Sequence, residues 1–213
     1  MVANKPISDE STAAERVTVI ACGAIAREVL AVMEANGLSH VDLTCLPAIL
    51  HNAPQKITPA VEAAIAEARA GGASRIFIAY ADCGTGGLLD ALCEREGVER
   101  IAGPHCYSFF SGNDRFADEG DAHLTTFWLT DFLARQFDAF VAKPLKLDRY
   151  PEMRDMLFGR YERVVYIAQE DDPELDAAAA AIARRLGLAY QRRSVGYGDL
   201  PAALLAATAR RAS

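Results

Sequence analysis

The chain has 213 residues, 51% of them hydrophobic and 24% charged, with a net charge of −7. That length suits one large domain or two fused halves with a sizeable core, and the composition is globular, not disordered. An acid excess of this size, with a pI of about 5.1, argues against nucleic acid as a partner.

Residues 1–15 are polar and lack the apolar centre of a secretory signal, so they read as a disordered leader. No apolar run approaches the ~20 residues of a membrane helix. The protein is therefore expected to be cytoplasmic, with no membrane partner. In a reducing compartment its five cysteines are expected to be ligands, nucleophiles or buried thiols, and an odd number cannot pair fully within one chain.

Residues 17–21 form a short apolar run closed by Cys22-Gly23, the pattern of a buried strand and a turn. Ile25, Val29, Val32 and Met33 then recur at helical spacing up to Gly37. Residues 41–46 read as a second strand carrying Cys45. A loop with His51 follows, then a helix with Thr58 as N-cap and Pro59 at its first position. Residues 75–81 read as a third strand, ending in Asp82-Cys83-Gly84-Thr85-Gly86-Gly87. Residues 88–96 read as a helix stopped by Gly97, and 98–102 as a fourth strand running into Gly103-Pro104-His105-Cys106-Tyr107. Residues 113–123 read as a polar surface excursion. Residues 126–141 read as one long amphipathic helix whose aromatic residues, Phe127 to Phe140, belong to the core. A charged connection leads to a fifth strand at 164–168. A helix capped by Asp172-Pro173 follows, then a polar edge strand at 188–195 and a last helix at 201–211.

This alternation predicts an α/β fold: a mostly parallel open sheet, doubly wound, with helices on both faces and a helical insert between strands four and five. Residues 16–213 then form a single domain, divisible into halves 16–112 and 160–213 joined by the insert 113–159.

Parallel strands would set Cys22, Cys45, Cys83 and Cys106 at or near the carboxyl ends of the sheet, where ligands bind in such folds. Neighbouring strands are ~4.8 Å apart and a thiolate sits ~2.3 Å from zinc, so several sulfurs can converge on one metal or small cluster. Glycine or Gly-Pro-His flanks Cys22, Cys83 and Cys106, letting backbone approach a ligand closely. Cys45 and Cys93 read as core thiols, and each of the other three has the alternative of a small buried hydrophobe. His105 is a candidate ligand or general base or an ordinary loop histidine. His51 can reach the same rim, whereas His40 and His123 read as surface residues. Asp82 either orients a ligand or caps the next helix. Gly84, Thr85, Gly86 and Gly87 open a helix and can cradle an anion, although the run is neither a Walker motif nor GxGxxG.

Five segments together resemble one family. They are Ala21-Cys22-Gly23-Ala24, Leu46-Pro47-Ala48-Ile49-Leu50-His51-Asn52-Ala53-Pro54, Tyr80-Ala81-Asp82-Cys83-Gly84-Thr85-Gly86-Gly87, Gly103-Pro104-His105-Cys106-Tyr107 and Thr126-Phe127-Trp128-Leu129-Thr130-Asp131-Phe132. The chain resembles the domain-of-unknown-function 1638 (DUF1638) family of bacteria and archaea along nearly all of its length beyond the leader. The resemblance implies cysteines shared at 22, 83 and 106, and an association with corrinoid-dependent methyltransferases. Some relatives carry the histidine displaced by one position from His105.

The leading expectation is a metal ion or iron–sulfur cluster, with zinc as the alternative, held by Cys22, Cys83 and Cys106. Three thiolates leave one position open and suit soft metals. His105 and Asp82 would assist catalytically and Gly84 to Gly87 would bind a cofactor. A part in corrinoid-linked methyl transfer, with a corrinoid protein or methyltransferase as partner, follows from the resemblance alone. A homo-oligomer is compatible with all of this. Two alternatives stand beside it. One is a metal-free thiol enzyme, with Cys22 or Cys83 activated at a helix N-terminus. The other is a non-catalytic protein that binds a small ligand or a partner.

Overall fold

The computed structural model describes residues 16–209, so the leader expected at 1–15 lies outside the described residues. The fold is α/β, as predicted, but its parallel strands fall into two sheets. The first has the order β2-β1-β3-β4, with β1 at Val17–Cys22, β2 at Val41–Leu46, β3 at Arg75–Ala79 and β4 at Glu99–Arg100. The second has the order β5-β6-β7, with β5 at Thr126–Leu129, β6 at Arg163–Ala168 and β7 at Ala189–Ser194. All pairings are parallel.

β5 replaces the first part of the helix expected at 126–141. Its four residues are β-branched, aromatic or leucine, which favours a pleated surface, and they pair in register with Arg163 to Tyr166 of β6. Thr130 then caps α6 (Asp131–Phe137), its hydroxyl accepting from the Leu133 N–H at 3.3 Å. Aromatic residues spaced for a helix thus also satisfy the two-residue alternation of a strand: Phe127 packs on one side of the second sheet and Trp128 on the other. Thr58 does not cap its helix. α2 begins at Ile57, and the Thr58 hydroxyl is buried without a partner.

Burial on both faces of the two central strands creates three hydrophobic layers. Ile20, Ile78 and Tyr80 face α2 (Ile57–Ala70) and α3 (Leu88–Glu96). Leu129, Val164 and Tyr166 face α6 and α8 (Pro173–Leu186). Between the sheets lies a shared layer. Val19, Ala21, Phe77 and Ala79 meet Trp128, Val165 and Ile167 there, together with side chains of α1 (Ala26–Ala35), α4 (Cys106–Ser111), α5 (Asn113–Asp118) and α9 (Leu200–Thr208). α9 is last in the chain order yet packs on the first sheet. Arg75 of β3 donates to the Ala207 and Ala209 carbonyls, and His40 lies 3.1 Å from the Thr208 carbonyl.

Candidate functional site

The turn after β3 is built around one carboxylate. Asp82 accepts from the N–H groups of Gly84 (3.2 Å), Gly86 (3.2 Å) and Gly87 (2.9 Å), and from the Thr85 hydroxyl (2.6 Å). Burial pushes the Asp82 carboxyl up, but the bonds from Thr85, Gly87, Gly86 and Gly84 outweigh it and hold the group below the usual range. The same bonds spend the amides that an anion would need, so Asp82 occupies the place that sequence reasoning gave to a phosphate. Gly87 has φ of 85° where α3 begins, a conformation that suits glycine.

Cys83 is a non-glycine residue with φ of 50°, a strain worth about 1–3 kcal/mol. Two bonds to the neighbouring segment fix it there: Asp82 N–H to the Gly103 carbonyl (3.1 Å) and Cys83 N–H to the Pro104 carbonyl (2.8 Å). They bring Cys83 beside the turn that carries His105 and Cys106.

Here a cleft of about 350 Å³ opens between the first half of the chain, residues 16–125, which carries the first sheet, and the second half, residues 126–209, which carries the second. The first half contributes His51, Cys83, His105, Cys106 and Tyr107, and the second contributes Phe127, Trp128 and Tyr161. The rings are ordered against one another. Tyr107 stacks on His105 with centroids 4.7 Å apart, and on Trp128 at 5.8 Å with planes 2° apart. On the far side Arg193 of β7 lies 5.4 Å over the Trp128 ring and pairs with Glu119 at 2.5 Å. Among the described residues, none lining the cleft is an aspartate, glutamate, lysine or arginine. Burial lowers the affinity of both His51 and His105 for a proton, so the wall carries no formal charge at neutral pH.

The metal centre expected at Cys22, Cys83 and Cys106 is corrected by this geometry. Among the described residues no group of three or more His, Cys, Asp or Glu side chains is arranged to hold a metal ion. The three thiols pack against one hydrophobic cluster, but Cys83 and Cys106 line the cleft and Cys22 does not. Cys22 lies instead by the buried Tyr80 ring. The physical reason is placement: two of the sulfurs open on the cleft and the third packs by Tyr80. Burial pushes Cys83 up to about 12, with Cys22 adding to it. Cys22 and Cys106 are raised by the same cause. Cys45 is exposed on β2 and Cys93 buried in α3.

Of the catalytic candidates, Asp82 is a loop-building acceptor set back from the cleft, whereas His105 faces into it. Sequence reasoning assigned Phe127 and Trp128 to a helical core and did not single out Tyr107 or Tyr161. The polar-to-aromatic switch at 126 was the available signal. It also passed over Asp131, which is wholly buried. Its carboxylate accepts from the Tyr166 hydroxyl (2.8 Å) and from the N–H groups of Gln169 (3.0 Å) and Glu170 (3.2 Å).

The sequence profile of DUF1638, described as a protein of unknown function, matches residues 45–204. The chain belongs to the DUF1638 family. The matched stretch holds the whole cleft wall, including Cys83, His105, Cys106 and Trp128, while Cys22 precedes it. No curated protein and no solved structure matches the chain. No helix among the described residues is long and apolar enough to cross a membrane, and the DUF1638 match adds no chemistry to what the cleft displays.

Proposed function

We propose that this protein binds an uncharged, planar small molecule in the cleft between its two halves, with the thiols as neutral, polarisable walls. The supporting observation is the lining itself: stacked rings, two unprotonated imidazoles and no formal charge. The volume is within the ~300–1,000 Å³ usual for small-ligand sites. Offset stacking on Tyr107 or Trp128 rewards a flat ligand, and an ion would enter without a partner to offset its lost hydration. A cytoplasmic location is a part of this proposal that rests on composition, a corrinoid or methyltransferase partner rests on family resemblance, and a homo-oligomer is compatible with it.

Trp128 is the sole tryptophan of the chain, so its fluorescence reports on the cleft directly. Titration with quinoline is expected to give a saturable change, and quinoline carboxylate to bind at least tenfold more weakly. Tyr107→Ala is expected to weaken quinoline about five- to thirtyfold, the loss of one aromatic wall being worth roughly 1–2 kcal/mol. Equal affinity for the charged and uncharged probes would sink the reading.

The strained backbone of Cys83 supports a second reading, in which that thiol is a nucleophile. Its half-buried, protonated state opposes it. Iodoacetamide is therefore expected to label exposed Cys45 before Cys83 at pH 7.5, and Cys83 labelling to accelerate with each unit of added pH. Fast, selective labelling of Cys83 near neutrality, followed by peptide mapping, would instead favour the nucleophile.

A further inference from the structure

The first turn of α1 brings Glu28 into the shared layer between the sheets, 5% exposed. Its Oε2 atom is buried and has no hydrogen-bond partner. What faces it comes from the other half of the chain. Asp131 and Arg135 belong to α6, Glu170 follows β6, and Tyr197 lies in the turn before α9. Arg135 is the one cation in this group, and it stands 3.9 Å from Asp131 and 3.7 Å from Glu170. The Tyr197 hydroxyl lies 3.4 Å from Glu170. α9, which packs on α1, brings no ionisable side chain in residues 200–208. Glu28 and two further carboxyl groups, buried Asp131 and half-exposed Glu170, therefore lie within electrostatic reach of one guanidinium, and the Glu28 oxygen that has no partner is sealed from solvent.

We propose that Glu28 is a proton-operated latch between the two halves: protonated, it lets α1 lie against the carboxylates of the second sheet, and ionised, it drives them apart.

The electrostatics run the same way. Burial raises Glu28 above the ordinary carboxyl range, Asp131 and Glu170 add to the rise, and Arg135 opposes it. A carboxyl raised in the folded state contributes stability that is complete at low pH and is lost as pH climbs through the raised value. The junction is thus tight in acid and loosens as pH rises through that raised value. Because the cleft takes its walls from both halves, loosening widens it.

The test is amide hydrogen exchange on the full chain across pH 4 to 9, after correction for the intrinsic pH dependence of exchange. In the wild type, protection of residues 24–30, 130–136 and 168–171 is expected to fall at least tenfold as pH rises, with the remaining core unchanged. Glu28→Gln keeps the shape without the charge and is expected to abolish the fall. Glu170→Gln, at a more exposed position, is expected to move the midpoint to lower pH. An unchanged profile in Glu28→Gln, or in Glu170→Gln should the first variant not fold, overturns the latch. Binding of quinoline is not part of the readout, so the cleft and the latch stand or fall separately.

Discussion

Asp131→Ala is expected to lower the stability of the protein by about 3–5 kcal/mol, seen as a large fall in the urea midpoint at unchanged slope. The wild-type carboxylate is fully buried and collects three donors, the Tyr166 hydroxyl and two backbone N–H groups beyond the end of β6. Gln169 completes the arrangement by accepting from the Asp131 N–H at 2.7 Å. Removing the carboxylate leaves the buried Tyr166 hydroxyl and Gln169 N–H unpaired, which costs about 1–3 kcal/mol apiece, while water can reach the part-buried Glu170 N–H. Asp131→Asn keeps one oxygen but turns an amide group towards a backbone donor, so an intermediate loss is expected. A midpoint within error of wild type for the alanine variant would mean that this buried network contributes nothing.

Gly198→Ala is the second large effect. Gly198 has φ of 51° in the turn between β7 and α9, and a Cβ there would run into the carbonyl oxygens of Phe109 and Phe110. The obstacle is backbone, so no side-chain rotation relieves it. The same turn is tied to the first half of the chain: Asp199 N–H donates to the Phe109 carbonyl at 2.8 Å, and the Asp199 carboxylate accepts from Asn113 N–H at 2.8 Å. Substitution must therefore push the turn off α4, the helix that carries Cys106 and Tyr107 into the cleft. A loss of about 3 kcal/mol or more is expected, together with a changed Trp128 emission in whatever fraction still folds. A stable variant with native emission would show that the turn yields without disturbing α4.

Much of the fold is legible where local chemistry fixes it. α8 (Pro173–Leu186) matches its expected bounds because Asp172 accepts from the N–H groups of Glu174 and Leu175 at one end and Gly187 takes φ of 72° at the other. α3 and β2 match for similar reasons, each bounded by glycine, proline or a capping acid. The division into two sheets is not legible, because which parallel strands become neighbours is settled by contacts far apart in sequence. The rim position of Cys83 and Cys106 followed from the strand–turn–helix pattern. Their failure to join Cys22 in a metal centre depends on side-chain direction, which strand order does not convey. Glu28 carried a signal that went unread. It sits on the stripe formed by Ile25, Val29 and Val32, where a charged residue has to be buried along with its apolar neighbours.

The position of α9 bears on how the protein is made. Synthesis runs from the first sheet to the second, yet the helix that covers Phe77 and Ala79 of β3 follows every strand of both sheets in chain order. Until α9 emerges, one face of the first sheet lacks its natural cover. The nascent chain therefore carries sticky surface while the stretch between β3 and α9 is made, the period in which a chaperone has something to grip.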